Sequence, residues 1–173
     1  MRRPLLLVLV AAIAVAVVVG TTGLRVVRIT SGSMLPTVPI GGWVLVTDTA
    51  TAHRGDIVEF EFPPGSSLHA IKRVVAVGGD VVELTDGALL VNGTPIPIVG
   101  EATHFERTTV TVPPGGYYLL GDNQGGSIDS RSFGPIAGTD VVGHVHRTIP
   151  DPRWLAVVLA ALAALTALRG AIR

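Results

Sequence analysis

The sequence predicts a mainly β protein, a folded antiparallel sheet or distorted barrel, with one transmembrane helix at the N-terminus and a second at the C-terminus. Two observations lead to this fold class. Short β-branched or alternating runs, separated by glycine and proline turns, fill the middle of the chain, which shows no long 3.6-residue period. Apolar runs occupy both ends. At 173 residues the chain has room for one domain beside such segments.

Residues 1–24 predict a cytoplasmic N-terminus followed by a transmembrane anchor. An apolar run begins at Leu5 and, with the residues up to position 24, reaches about the 20 residues that a membrane helix needs. A cleaved signal peptide is the alternative, but Val18-Val19-Gly20 is a poor cleavage site of the small-x-small kind. Arg2 and Arg3 favour a cytoplasmic position for this end, so we expect the chain beyond residue 24 to lie outside.

Residues 25–153 predict a single β-rich domain on the extracytoplasmic side. Glycine and proline pairs separate its strands, and Asp86-Gly87 and Asn92-Gly93 are typical of two-residue hairpin turns. The predicted strands, in order, cover residues 43–46, 57–62, 71–77, 81–84, 89–91, 108–112, 117–120 and 141–149.

Residues 154–173 predict a second transmembrane helix and a short cytoplasmic tail. The run from Trp154 to Leu168 is apolar apart from one threonine, and arginines flank it on both sides. Because the run is short, it spans a bilayer only if the residues after it join the helix and the arginines extend to the interface. An amphipathic or core helix is the alternative, although no polar face recurs at helical spacing.

Composition excludes several kinds of function. The chain has no cysteine, which excludes disulfides, thiolate catalysis and Cys-ligated zinc. Its formal net charge is zero, so nothing favours a nucleic-acid partner. His144 and His146 alternate along one predicted strand, but no third ligand accompanies them, and we expect neither a metal nor another cofactor.

Three polar segments could carry chemistry, although each by itself is typical of an ordinary loop or strand. Residues 30–37 form a Ser-Gly-Ser loop in which Pro36 restricts the preceding residue. Residues 69–75 place Lys72 in a largely apolar strand, where its side chain is either solvated or buried away from water. Residues 121–131 form a polar run in which an acidic and a basic residue can pair.

Taken in this order behind an apolar anchor, the three segments resemble bacterial type I signal peptidase over roughly residues 26–150. Four blocks match in register. The matching residues are Ser31 with Ser33-Met34-x-Pro36, Arg54-Gly55-Asp56-Ile57-Val58, Lys72-Arg73-Val74-Val75 with Gly78-Gly79-Asp80, and Gly121-Asp122-Asn123 with Ser127, Asp129, Ser130 and Arg131.

The resemblance implies a membrane-bound serine endopeptidase that removes signal peptides from translocated preproteins after small residues, in an Ala-x-Ala-like pattern. It implies that Ser33 attacks the scissile carbonyl to form an acyl-enzyme and that Lys72 takes its proton. Ser31 and the Ser33 amide would stabilise the oxyanion, and Ser127 would orient the lysine. The implied structural supports are Arg73, Asp122, Asn123, Asp129, Ser130 and Arg131. In a departure from the family pattern, Gln124 stands where arginine is common.

A lysine can act as a base only when it is neutral, and its ordinary pKa of about 10.4 keeps it charged at neutral pH. Lowering that pKa to about 8 requires roughly 3 kcal/mol, which burial among apolar side chains can supply. A nearby carboxylate would oppose this shift, so we expect neither Asp122 nor Asp129 to contact the Lys72 amine. The residues expected to line an apolar pocket for small substrate side chains are Met34, Leu35 and Ile71.

The expected partners are preproteins and the lipid bilayer, and the expected location is the outer face of the plasma membrane. Ser33 follows Gly20 by 13 residues, which keeps it within about 40 Å of the membrane even in an extended chain. A specialised peptidase that matures a conjugation or pilus subunit would use the same chemistry. Self-cleaving SOS-type repressors also use a Ser–Lys pair, but they need an N-terminal DNA-binding domain. A catalytically inert, membrane-anchored β binding module is the alternative from another class.

Overall fold

The computed structural model of the protein describes residues 10, 13, 17, 20, 21, 23–49, 51–85, 88–97, 107–149, 151 and 153. Within these residues β-strands dominate and all pair antiparallel, which confirms the predicted fold class at this level. The strands are β1 Arg25–Arg28, β2 Trp43–Thr47, β3 Ile57–Glu61, β4 His69–Val77, β5 Val81–Thr85, β6 Ala88–Val91, β7 Thr94–Ile96, β8 Thr108–Thr111, β9 Gly116–Leu120, β10 Ile136–Ala137 and β11 Val141–Ile149. One short helix, α1, covers Ser130–Phe133.

The strands form two sheets. The larger has the order β1-β2-β11-β3-β4-β9-β10 and the smaller has the order β7-β6-β5-β8. The larger sheet is curled, because Ile29 after β1 and Ile71 of β4 belong to one buried cluster although three strands lie between β1 and β4 in the sheet. The curling brings the loop between β1 and β2 beside β4.

A second buried cluster packs the two sheets together. It combines Tyr118 and Leu120 of β9 with Val82 and Leu84 of β5 and Leu89 of β6. Burial of these apolar side chains supplies the main free energy that holds the small sheet on the large one. Ala76 of β4, the strand that carries Lys72, belongs to the same cluster, so the small sheet also supports this strand.

The eight strands predicted from the sequence are present with small shifts at their ends, and three further strands were missed. The missed strands are β1, β7 and β10, which have four, three and two residues and lie at sheet edges. A short edge strand buries few side chains and leaves little apolar alternation in the sequence.

The hairpin predicted at Asn92-Gly93 is confirmed. Both residues have positive φ, 51° and 75°, and Val91 pairs with Thr94 across the turn. A two-residue turn with positive φ at both positions matches the twist of the strands that it joins. The other predicted turn, Asp86-Gly87, lies outside the described residues.

The two predicted membrane spans fall almost wholly outside the described residues. Of residues 1–24, the described positions Val10, Ile13 and Val17 are helical and more than half exposed. In the described part of the chain, no helix combines the length and the hydropathy that crossing a bilayer requires. The spans at 1–24 and 154–173, and the domain limits 25–153, therefore stay predictions.

Candidate active site

The loop that carries Ser33 is closed at its base by the backbone. The Ile29 N–H donates to the Gly42 carbonyl at 2.8 Å, and the Gly41 N–H donates to the Ile29 carbonyl at 2.7 Å. Inside the loop, Met34 is 0% exposed and packs in the cluster that also contains Ile29. This buried side chain anchors the loop and fixes the residue before it, Ser33, against the sheet.

The segment after β9 holds the same loop from its other side. The Asn123 backbone N–H donates to the Ser33 carbonyl at 2.9 Å, and the Asn123 side-chain amide donates to the Gly32 carbonyl at 3.1 Å. At Gly121, a Cβ atom would lie 2.5 Å from the Ser33 carbonyl oxygen and 2.3 Å from Ser127 Oγ. Only glycine allows this approach; the sequence named Gly121 as part of a matching motif but gave no packing reason for it.

The structure brings Ser33 and Lys72 together. Lys72 Nζ donates to Ser33 Oγ at 2.7 Å, and the two residues are 5% and 6% exposed. Lys72 is the only lysine in the sequence. At this distance one proton transfer separates a hydroxyl from an alkoxide, so the pair has the geometry of a nucleophile and its base.

Burial lowers the pKa of Lys72. The negative charge of Asp129 acts in the opposite direction, and the positive charge of Arg131 assists the lowering. Among the described residues, no carboxylate forms a hydrogen bond or an ion pair with the amine, in agreement with the expectation for Asp122 and Asp129. The site therefore favours the neutral form of the lysine more than water does.

An ion pair between Asp129 and Arg131 braces the polar run. Arg131 donates to Asp129 through Nε at 2.7 Å and Nη2 at 2.8 Å, and the two side chains are 3% and 0% exposed. Asp129 also accepts from the Gly121 N–H at 3.0 Å, and Arg131 donates to the Gln124 carbonyl at 2.6 Å. We call this pair the Asp129–Arg131 clamp; it ties together both ends of the run that holds Ser33.

Two further supports lie close by. Arg73 donates to both oxygens of Asp122, at 2.7 and 2.6 Å, and also to the Gly55 carbonyl at 2.6 Å. Burial alone would raise the pKa of Asp122, but hydrogen bonds from Arg73 and Thr37 and the Arg73 charge lower it overall. The Ser130 hydroxyl accepts from the backbone N–H of Leu119 at 2.9 Å and so fixes the start of α1 to β9.

Ser31 and Ser127 lie beside the pair without contacting the lysine. Ser31 Oγ is 3.4 Å from Ser33 Oγ, and Ser31 is exposed. The Ser127 hydroxyl is buried and, within the described residues, has no hydrogen-bond partner. The hydrogen bond expected between Ser127 and Lys72 is thus not formed, although both groups neighbour Ser33.

A small cavity, of about 90 Å³, adjoins Ser31 between β1 and β4. Of the three residues expected to line a substrate pocket, Ile71 lines this cavity, Leu35 does not, and Met34 is fully buried in the core. The expectation that Met34 lines a pocket is wrong for this conformation, because a large apolar side chain in a tight loop gains more from core packing than from a surface position.

Glu59 and His69 also line this cavity, and sequence reasoning missed both. Glu59 is buried; it accepts from Arg25 Nε at 3.1 Å, and its other oxygen lies 2.9 Å from Nδ1 of His69. A charged residue in the apolar run Ile57-Val58-Glu59-Phe60 is the signal that could have indicated a buried polar group.

The two histidines on β11 contact each other and a threonine. The rings of His144 and His146 have centroids 4.7 Å apart, and His146 Nε2 lies 2.6 Å from the Thr47 hydroxyl. In the described residues, no group of three or more histidine, aspartate or glutamate side chains is arranged to hold a metal ion.

The known proteins that this chain resembles include signal peptidases. The family model for signal peptidase, peptidase S26, matches residues 2–149. Signal peptidase I V of Bacillus subtilis is 37% identical over 131 residues, which cover 64% of this chain and 77% of that protein. Probable signal peptidase I-1 of Synechocystis is 31% identical over 140 residues, covering 73% of this chain and 71% of that protein.

A longer relative matches over part of its length. Probable thylakoidal processing peptidase 2 of Arabidopsis thaliana is 38% identical over 128 residues, which are 66% of this chain but only 35% of that protein. Among solved structures, a signal peptidase I from Enterococcus faecalis matches 58% of this chain and 97% of that chain, with 27% identity and a TM-score of 0.43. From the extent of the family match, the chain belongs to the signal peptidase family, peptidase S26, whose members are serine endopeptidases that remove signal peptides.

Proposed function

We propose that this chain removes signal peptides from translocated preproteins with a catalytic dyad of Ser33 and Lys72. The observation that carries the proposal is the 2.7 Å hydrogen bond between Lys72 Nζ and Ser33 Oγ, formed by two nearly buried residues. The comparisons do not favour the narrower conjugation or pilus peptidase, the repressor or the inert module.

The dyad accounts for both halves of a peptide hydrolysis. Neutral Lys72 takes the proton of the Ser33 hydroxyl as the oxygen attacks the scissile carbonyl carbon. The protonated lysine then gives this proton to the leaving amine, and an ester joins Ser33 to the signal peptide. A water molecule next attacks the ester, Lys72 accepts its proton, and return of the proton to Ser33 releases the signal peptide.

The oxyanion needs hydrogen-bond donors that are free before the substrate arrives. In the described part of the chain, the backbone N–H of Ser33 has no hydrogen-bond partner. The Ser31 hydroxyl lies 3.4 Å from Ser33 Oγ and is exposed to an incoming peptide. These two groups are the oxyanion donors in our proposal.

Two unpaired strand edges supply a binding channel for the signal peptide. Among the residues that the structure describes, the part of β4 before Arg73 pairs with β3 on one side only, since β9 pairs with β4 from Arg73 onward. The outer edge of β1 is likewise unpaired within the described residues. An extended peptide can hydrogen-bond to such edges as an added strand. The cavity of about 90 Å³ between them favours small side chains.

Ser127 acts on the lysine in this proposal through a change of its side-chain rotamer. Its hydroxyl is buried, has no partner within the described residues and lies next to Gly121, which contacts the Ser33 loop. A buried hydroxyl without a partner is unfavourable. Rotation toward the Lys72 amine would satisfy it and would orient the lone pair of the amine toward Ser33.

The membrane positions of the chain follow from the sequence in our proposal. Residues 1–24 anchor it, the arginines near its start lie in the cytoplasm, and Ser33 works near the outer face of the plasma membrane. Residues 154–173 cross back. A signal peptide ends at the same face after translocation, so enzyme and scissile bond meet there.

Cleavage of a preprotein by the purified full chain in detergent tests the proposal. Ser33→Ala and Lys72→Ala, made separately, should each abolish cleavage because each removes one member of the dyad. Ser67→Ala, at an exposed position of the β3–β4 turn, is the matched control and should cleave normally. A Lys72→Ala protein that still cleaves the preprotein would exclude the dyad.

A further inference from the structure

A second cavity, of about 400 Å³, also adjoins the Ser33 loop. Residues that precede Ser33 line the small cavity, whereas Pro36 and Thr37, which follow it, line the large one together with Gly121. The two cavities share no lining residue. Ser33 therefore lies between the chain segments that border them.

The large cavity has apolar walls and one unsatisfied polar group. Its apolar lining includes Val75, Ile96 and Leu120. Gln124 also lines it and is only 5% exposed; its Nε2 donates to the Pro97 carbonyl at 3.1 Å. Its Oε1 is buried and, in the described part of the chain, accepts no hydrogen bond. Because a buried acceptor without a donor is unfavourable, this atom indicates a ligand that brings an N–H group.

The charge around the cavity indicates a neutral ligand group. Asp122 lies in its wall, but both of its carboxylate oxygens accept from Arg73 at 2.7 and 2.6 Å. The pair therefore has no net charge to offer to a cation or an anion. A peptide backbone amide has the required donor and no charge.

We propose that this cavity binds the first residues of the mature protein, on the leaving side of the scissile bond, and that Gln124 Oε1 accepts a backbone N–H from them. This inference rests on the proposed function. Small side chains are required before the scissile bond, which assigns the cavity of about 90 Å³ to the signal peptide. The peptide beyond Ser33 then continues toward the cavity of about 400 Å³, which accepts larger side chains.

Two substrates with the same signal-peptide half test the inference. One is a peptide with an Ala-x-Ala site and four residues after the scissile bond. The other is a methyl thioester that ends at that bond and carries no mature residues. Since the chain contains no cysteine, the released methanethiol can be titrated without a protein background.

Two variants change the cavity in different ways. Gln124→Met keeps the side-chain volume but removes the acceptor, and Ile96→Trp fills the cavity from β7. We expect Gln124→Met to lower kcat/KM for the peptide by roughly three- to tenfold through the loss of one hydrogen bond. We expect Ile96→Trp to lower it because the larger side chain occupies the space of the peptide. We expect each to leave kcat/KM for the thioester within about twofold, because that substrate does not reach the cavity.

The possible results distinguish a failure of the proposed cavity function from a failure of the proposed peptidase activity. Equal losses on peptide and thioester would assign Gln124 a structural role and overturn the inference, as would unchanged rates on both substrates. Wild-type chain that turns over neither substrate would overturn the proposed function and this inference with it. If Gln124→Met does not fold, Ile96→Trp carries the same comparison.

Discussion

Two buried cations in this molecule have opposite surroundings. Arg131, with a side chain 3% exposed, donates to the carboxylate of Asp129, which is 0% exposed. Lys72, 5% exposed, donates to the neutral hydroxyl of Ser33. A buried cation with a carboxylate partner keeps its charge, whereas a buried amine without one loses its proton more readily. The comparison separates a charge that supports the site from an amine that can react.

Removing the Lys72 amine tests this comparison and should give the largest effect of the predicted changes. Lys72→Met keeps the length of the side chain and should lower preprotein cleavage by about a thousandfold, the scale of general-base catalysis. Stability should stay equal or rise, because a buried ammonium without a counter-ion is unfavourable. Cleavage rates and thermal melting measure the two effects. A clear loss of stability would contradict the idea that the buried amine has no counter-ion.

Breaking the Asp129–Arg131 clamp should lower the stability of the fold, in contrast to removal of the Lys72 amine. Asp129→Asn leaves the Arg131 guanidinium buried without its counter-charge and should reduce the free energy of unfolding by about 3–5 kcal/mol. Denaturant unfolding measures this change. Asp151→Asn, in an exposed ion pair with Arg153, is the control and should leave the midpoint nearly unchanged. A midpoint for Asp129→Asn equal to that of the control would show that the clamp is not needed.

Removing the Ser127 hydroxyl should have a smaller effect, and it tests whether this hydroxyl orients the lysine. Ser127→Ala should lower kcat by about tenfold if a hydrogen bond to the amine is lost. It should leave the melting temperature equal or higher, because the hydroxyl has no partner within the described residues. The pH at half-maximal activity should also move, which a purely structural role would not cause. Ser132→Ala, an exposed neighbour, should change none of these quantities.

The pH dependence of stability gives the smallest effect. Below the folded-state pKa of Lys72 the amine is protonated in both states, and the folded state carries the burial penalty. Above it the folded chain releases the proton, while the unfolded chain keeps it up to an ordinary pKa of about 10.4. Stability should therefore rise with pH between these two values, as should activity near the lower one.

Lys72 can be followed directly, because it is the only lysine in the sequence. A chain labelled with ¹³C,¹⁵N-lysine should give one side-chain resonance by NMR, and its titration should yield a pKa below the ordinary value. Lys72→Met should lose the corresponding rise of stability with pH. A titration at or above the ordinary lysine pKa would contradict the idea that the amine is buried without a carboxylate partner.

Much of the fold and of the site could be predicted from local patterns. The strands with strong β-branched runs, such as β4 and β11, and the Asn92-Gly93 turn were identified because their signals lie within a few neighbouring residues. The order of four motifs predicted Ser33 and Lys72 as a pair, and their side chains lie 2.7 Å apart. Short edge strands such as β1 carry little pattern, which explains why they were missed.

Other features depend on residues far apart in the chain. The burial of Met34 could not be predicted, because it follows from the curling that packs the β1–β2 loop against β4. Glycine at position 121 is required because Ser33, 88 positions earlier, approaches it. The unsatisfied Oε1 of Gln124 likewise depends on the residue after β7, because the Pro97 carbonyl accepts a hydrogen bond from the amide nitrogen of Gln124 and leaves its oxygen without a donor.

The sequence by itself determined the mainly β fold class and the family resemblance, and it predicted Ser33 and Lys72 as the reactive pair, because strand periodicity, turn chemistry and motif order depend on neighbouring residues. The tertiary structure alone decided that Ser33 and Lys72, 39 residues apart, meet at 2.7 Å and that the amine is buried beside a clamp in which Arg131 pairs with Asp129. Burial and distance depend on how the sheet curls, and the pKa of a lysine follows from its surroundings rather than from its neighbours in the chain.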